Sequence, residues 1–191
     1  MHIDLWGLAT VTSIGGSRYF VSCYDNYTRK IHLTFLKQKS EALHVIQQYI
    51  AAVERRTSHK VKVIRSDNRG RFTSNAWSEY IKSNVIEEHF TPPDSHFQNG
   101  RGERAHLTIM NGVRRILCQT GLDAEFWAEA ASYMCYTRKR TTPYGFQKQI
   151  PDDLWQQHKT KLHHLQPFGC RVFYQDYHNT NKLASCHREA I

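Results

Sequence analysis

The chain has 191 residues, 40% of them apolar and 12% aromatic, and a formal charge of +9. That length suits one domain with a small appendage, the apolar fraction can fill a true core, and no run approaches the ~18 apolar residues of a membrane span. The excess of Lys and Arg favours an anionic partner, nucleic acid before any other, over an acidic one; a solvated basic surface with no partner would carry the same charge.

Five cysteines, Cys23, Cys118, Cys135, Cys170 and Cys186, form no C-x-x-C pair. They read as reduced thiols, with Cys118 and Cys135 as helical core fillers and not nucleophiles. The spacing of His163, His164, Cys170, Cys186 and His187 fits no zinc finger. The opening "MHIDLWGL" has no basic leader and no long apolar stretch, so no signal peptide is expected, and the chain reads as a piece of a longer protein.

In chain order, residues 1–8 alternate, with Ile3 and Leu5 on one face and His2, Asp4 and Trp6 on the other, which predicts a strand. "RYFVSCYDNYT" (18–28) and "KIHLTFL" (30–36) predict two more, joined by short links into an antiparallel meander. Ser40 is a plausible cap for a helix over 41–56, where Leu43, Val45, Ile46, Ile50 and Val53 recur at helical spacing. "KVKVIRSD" forms a fourth strand ending on Asp67; 74–84 is a short amphipathic helix; 85–90 is a fifth strand. Pro92, Pro93 and Asn99-Gly100 mark 91–100 as a loop. A long helix from about Arg101 to Gln119 closes at Gly121, a further one starts at Asp123, "DDLWQQH" is a short helical stretch, and 170–178 is a strand. The order β-β-β-α-β-α-β-α-α places the fourth strand beside the first through a right-handed crossover, giving an α/β fold with a mixed sheet.

Three acids stand at special points of this order. Asp4 lies in the first strand, Asp67 ends the fourth, and Glu103 opens the long helix. Taken singly, each has an ordinary explanation: an Asp at a strand end caps a turn, and a Glu in a first helical turn suits the macrodipole. Brought together, three carboxylates repel one another, and a pair of divalent cations relieves the conflict. Hard oxygen ligands select Mg²⁺ or Mn²⁺, and two such ions can clamp a phosphodiester for in-line displacement. Arg101, Arg104 and His106, at the start of the same helix, add cationic groups to an end that already attracts phosphate, with Arg65 and Arg69 opposite; these are expected to face a nucleic-acid partner, whereas Arg114 and Arg115 read as a solvated face.

Residues 68–102, 35 in all, separate Asp67 from Glu103. With the stretches "HIDLWG", "RYFVSCYDNYTRKIHLTFLKQKSEA", "VIRSDNRGRF", "TPPDSHFQNGRGERAH", "GLDAEFWAEA" and "HHLQPFGCRVF", in that order, the chain resembles the integrase catalytic core of copia-type LTR retrotransposons, a D, D-35-E enzyme within the retroviral integrase superfamily. The resemblance implies an RNase H-like five-stranded mixed sheet flanked by helices over residues 1–145, a linker over 146–162, and the start of a small SH3-like β domain over 163–191. It implies 3′-end processing and strand transfer of element DNA by Asp4, Asp67 and Glu103 holding two Mg²⁺ (or Mn²⁺) ions, with Asn99 near the DNA end. Double-stranded DNA, a homo-oligomer assembled on it, no membrane, and a nuclear site of action after a cytoplasmic particle stage are implied with it. The sequence departs from the family at Arg69 and Arg71 (commonly Gly and an acid), at Asp94, Ser95 and His96 (Tyr, Thr, Pro), and at Arg101, Gly102, Ala105 and His106 (Val, Ala, Lys, Asn). Two alternatives stay open: a decayed or domesticated core that binds DNA or protein without catalysis, and an RNase H-type nuclease on the same fold.

Overall fold

The computed structural model describes residues 1–67, 74–91, 96–141, 149–175 and 187–190; within these, the side chains of 67, 90, 91, 96–103, 175, 187 and 188 lie outside the description. A five-stranded mixed sheet is covered by helices on both faces. Strand β1 (His2–Trp6) pairs antiparallel with β2 (Tyr19–Tyr24), and β2 with β3 (Ile31–Leu36). The second strand is shorter than the sequence suggests because the Asp25 carboxylate turns the chain: its Oδ2 accepts the Thr28 N–H at 2.7 Å and the Thr28 hydroxyl at 2.6 Å.

Helix α1 (Ala42–Thr57) then crosses the sheet and returns the chain to β4 (Val63–Asp67), parallel to β1. Ser40 does not cap α1. It sits in a one-turn 3₁₀ segment, Lys39–Glu41, and its hydroxyl donates to Gln38 at 3.4 Å instead. Helix α2 (Asn75–Ser83), capped by the Ser74 hydroxyl that accepts the Trp77 N–H at 3.2 Å, leads to β5 (Glu87–Thr91), parallel to β4. The sheet order is β3-β2-β1-β4-β5, as the crossover argument requires.

Helix α3 runs from His96 to Thr120 and so takes in Asn99 and Gly100, expected as loop. Such residues cost at most about 1 kcal/mol each in a helix interior, which a long packed helix offsets, whereas a proline would have stopped it. Gly121, at φ 68°, ends α3 in the left-handed conformation, and its N–H donates to the Leu117 carbonyl at 3.0 Å. A 3₁₀ turn (Ala124–Phe126) precedes α4 (Trp127–Arg138), whose buried Ala128, Ala130 and Ala131 have no bulk to hold neighbouring elements away.

Strand alternation divides the core in two. Ile3, Leu5, Val21, Cys23 and Ile64 face Ile46 and Ile50 of α1 and Trp77 of α2. On the other face Phe20, Tyr24 and Ile31 meet Ile109 and Val113 of α3 and Trp127 of α4. Each such large side chain contributes roughly 1.5–3 kcal/mol on burial. Cys135 is a core thiol, donating to the Ile31 carbonyl at 3.2 Å and pushed up to about 11 by burial; Cys118 is exposed, contrary to the expectation, because its position on α3 turns away from the sheet.

The stretch 149–158 forms helix α5 (Pro151–Gln156), and its Asp152 is buried between Lys30 and Arg140. Farther on, Phe168 packs on Tyr133 of α4, with ring centroids 5.4 Å apart. Strands β6 (Val172–Gln175) and β7 (His187–Ala190) form a separate antiparallel pair. Among the described residues, no helix is long and apolar enough to cross a membrane.

Candidate active site

The parallel pairing of β1 and β4 sets His2 beside Arg65. Two residues farther along both strands stand Asp4 and Asp67, on neighbouring strands about 4.8 Å apart and, by alternation, on the same face. That is the face α3 covers. The Asp4 carboxylate keeps about a third of its surface exposed, and its Oδ2 lies 3.2 Å from Nδ1 of His106 on α3. Glu103 is three residues before His106, hence on the same side of the helix and one turn nearer its start. The backbone therefore brings positions 4, 67 and 103 to one end of the sheet. The side chains of Asp67 and Glu103 are outside the described residues; among those described, no group of three or more His, Cys, Asp or Glu side chains could hold a metal ion.

The surroundings of Asp4 are aromatic on one side. Trp6 stacks on Phe20 at 5.0 Å and lies 5.3 Å from Trp127, and the His106 ring is 5.2 Å from Phe20. Ser22, the cross-strand neighbour of Asp4, is buried and donates to the Asp4 carbonyl at 3.4 Å. The Asp4 carboxylate is thus engaged by a histidine and partly exposed.

The family model described as "Integrase core domain" matches residues 1–96, half of the chain. The chain belongs to that family. Over 173 residues, 91% of its length, this integrase core is 36% identical to the retrovirus-related Pol polyprotein from transposon TNT 1-94 of Nicotiana tabacum. It is 27% identical over 173 residues to the Pol polyprotein from transposon RE2 of Arabidopsis thaliana, and 26% identical over 192 residues, the whole chain, to that from RE1 of the same plant. These relatives are much longer: the chain spans only 12–13% of each. It is thus a copia-type integrase core matching one part of retrotransposon Pol polyproteins. Two solved structures share its fold. One is a simian T-cell lymphotropic virus intasome in complex with PP2A regulatory subunit B56 gamma, with a TM-score of 0.64 at 14% identity, over 97% of this chain and 64% of that one. The other is the HTLV-2 integrase catalytic core domain in complex with magnesium, in a trimeric form, with a TM-score of 0.57 at 15% identity, over 80% and 92% of the two chains. The fold is RNase H-like, as expected.

The residues expected to meet DNA fall into three groups. Arg65 on β4 and Arg104 on α3 are exposed near the carboxylate positions. Arg101 and Asn99 belong to the first two turns of α3, with side chains outside the described residues, and Arg69 lies outside them altogether. His106 differs from the arginines. Its side chain is only 13% exposed and turns inward to Asp4. The sequence held a signal for that contact: His106 is at i+3 from Glu103, so the two positions share one side of the helix.

Proposed function

We propose that this integrase core is a metal-dependent polynucleotidyl transferase that processes 3′ ends of element DNA and joins them to target DNA. The observation that carries the reading is the alignment of Asp4 with Asp67 on adjacent parallel strands, with α3 held to Asp4 by His106. An oxygen-only donor set at strand spacing fits hard divalent cations, and Asp4, Asp67 and Glu103 would hold two Mg²⁺ or Mn²⁺ ions. When bound, such ions supply activation of the attacking hydroxyl or water and stabilisation of the leaving oxygen. The chain's own residues do the rest. The rings of Trp6, Phe20 and Trp127 pack together, and Phe20 and Trp6 hold the His106 ring that contacts Asp4. Arg65, Arg69, Arg101, Arg104 and Asn99 would hold the phosphodiester backbone in line, and the positive end of the α3 dipole would add to their field.

Double-stranded DNA is the partner on this reading, both as element end and as target, and the protein would act as a homo-oligomer in the nucleus after a particle stage in the cytoplasm. Residues from His163 onward, with the β6–β7 pair, would begin a small SH3-like domain. Titration of Mn²⁺ into the full chain tests the site: tight binding that disappears in Asp67→Asn supports it, and binding indifferent to Asp67→Asn removes it. A strand-transfer assay on a pre-cleaved DNA end then tests the chemistry. Product formation that needs Asp4, Asp67 and Glu103 is the expected result; DNA binding with a filled metal site and no product would favour the non-catalytic core.

A further inference from the structure

Resting on the metal-dependent reading above, we propose that His106 is a positioning residue, which fixes the Asp4 carboxylate for metal binding and ties α3 to β1 at the site. Its Nδ1 lies 3.2 Å from Asp4 Oδ2. An ionised carboxylate only accepts hydrogen bonds, so Nδ1 carries the hydrogen. That donation engages Oδ2 and holds the carboxylate in one orientation.

The ring has little freedom to do otherwise. It is largely buried, tilted against Phe20 at 5.2 Å and edge-on to Trp6 at 6.5 Å, and Trp6 is itself stacked on Phe20. A donor held rigidly against a ligand carboxylate lowers the cost of ordering that carboxylate when the ion arrives. The same bond sets the height of α3 over the sheet. His106 is one turn from Glu103, so fixing His106 on Asp4 fixes where the Glu103 backbone stands relative to β1. Arg104 on the same helix is exposed, whereas His106 faces inward.

The test compares His106→Leu with His106→Asn in the full chain. These side chains have nearly the same shape, but only Asn can donate from the δ position. Calorimetric Mn²⁺ titration is read beside urea unfolding. Expected is a loss of about 10-fold or more in Mn²⁺ affinity for His106→Leu, the lower end of what removing a partner of a metal ligand costs, with His106→Asn within about threefold of the parent. Equal affinities for parent, Leu and Asn forms would overturn the proposal, as would losses that follow unfolding stability and ignore the donor. If the Leu form does not fold, ¹⁵N shifts of the His106 ring in the parent decide: a protonated Nδ1 is expected, and a ring protonated only at Nε2 overturns the proposal. Asp67→Asn separates the two levels. If it abolishes Mn²⁺ binding and His106→Leu does not weaken it, only the role of His106 falls; if Asp67→Asn changes nothing, the metal-dependent reading falls and the role of His106 with it.

Discussion

Replacing Asp152 by Asn should unfold the protein at a distinctly lower temperature. The carboxylate is 1% exposed; Lys30 Nζ stands 3.0 Å from one oxygen and an Arg140 terminal nitrogen 3.2 Å from the other, in ion-pair geometry and not as aligned hydrogen bonds. Both cations are themselves mostly buried, and Lys30 also lies over the Trp155 ring at 4.8 Å. Burial already pulls the Lys30 pKa down, and Asp152 is the partner that pulls it back up. Asn keeps the volume but leaves two cations without their counter-charge. Breaking a buried pair from one side costs about 3–5 kcal/mol. For a chain of this size that corresponds to a fall of roughly 6–20 °C in melting temperature. The deficit should shrink at alkaline pH, because a lysine with a lowered folded pKa releases its proton earlier in the folded state, and stability then rises with pH. Replacing the whole cluster, Lys30→Met, Asp152→Leu and Arg140→Met, should recover part of the loss, since apolar groups of similar volume need no partner. Calorimetric or circular-dichroism melts of the full chain check all three forms. A shift below about 1 kcal/mol for Asp152→Asn would show that the carboxylate is solvated and that α5 is not docked on the core through it.

Other outcomes are equally specific. Arg104→Ala should flatten the dependence of log DNA affinity on log salt by about 0.9, uniformly across sequences, and an unchanged slope would remove Arg104 from the phosphate contacts. His32, stacked on Tyr49 at 4.4 Å, is pulled down to about 4 mainly by burial and next by the Lys139 and Lys30 charges. The unfolded chain thus binds more protons between about pH 6.5 and 4, so stability is full above that window and lost as pH falls through it, by up to about 3 kcal/mol; His32→Phe should remove this slope in pH-dependent urea melts. Trp77→Phe, which loses the indole N–H donated to Glu88 at 2.7 Å, should cost about 1–3 kcal/mol in the same melts.

Much of this architecture is legible in the sequence because its signals are local and redundant. The alternation of His2–Trp6 assigns Asp4 to one face before any partner strand is known, and the handedness of a β-α-β crossover does the rest by putting β4 beside β1. What is not legible depends on competition between weak local preferences and packing. Asn99 and Gly100 read as a turn, yet α3 continues through them, since a helix anchored by Ala105, Ile109 and Val113 in the core outweighs two poor helix formers. Ser40 has the chemistry of a cap, yet the 3₁₀ turn turns its hydroxyl toward Gln38. The burial of Asp152 had no sequence signal, because neither Lys30 nor Arg140 is near it at a recognisable spacing.

His106 shows how a departure from a family pattern changes meaning once the fold is known. The sequence sets a histidine where copia-type integrases favour asparagine, amid several basic substitutions, and the group as a whole looks like added positive charge. Geometry divides the group. Arg104 is exposed. His106 is turned to Asp4, where what counts is a donor at the δ position of a short side chain. Asparagine and histidine both carry a nitrogen donor bonded to Cγ, so the exchange keeps the hydrogen-bond donor while adding an aromatic ring that Phe20 and Trp6 can hold. The substitution thus preserves a donor at the proposed metal ligand, in a core whose three acidic positions are all present.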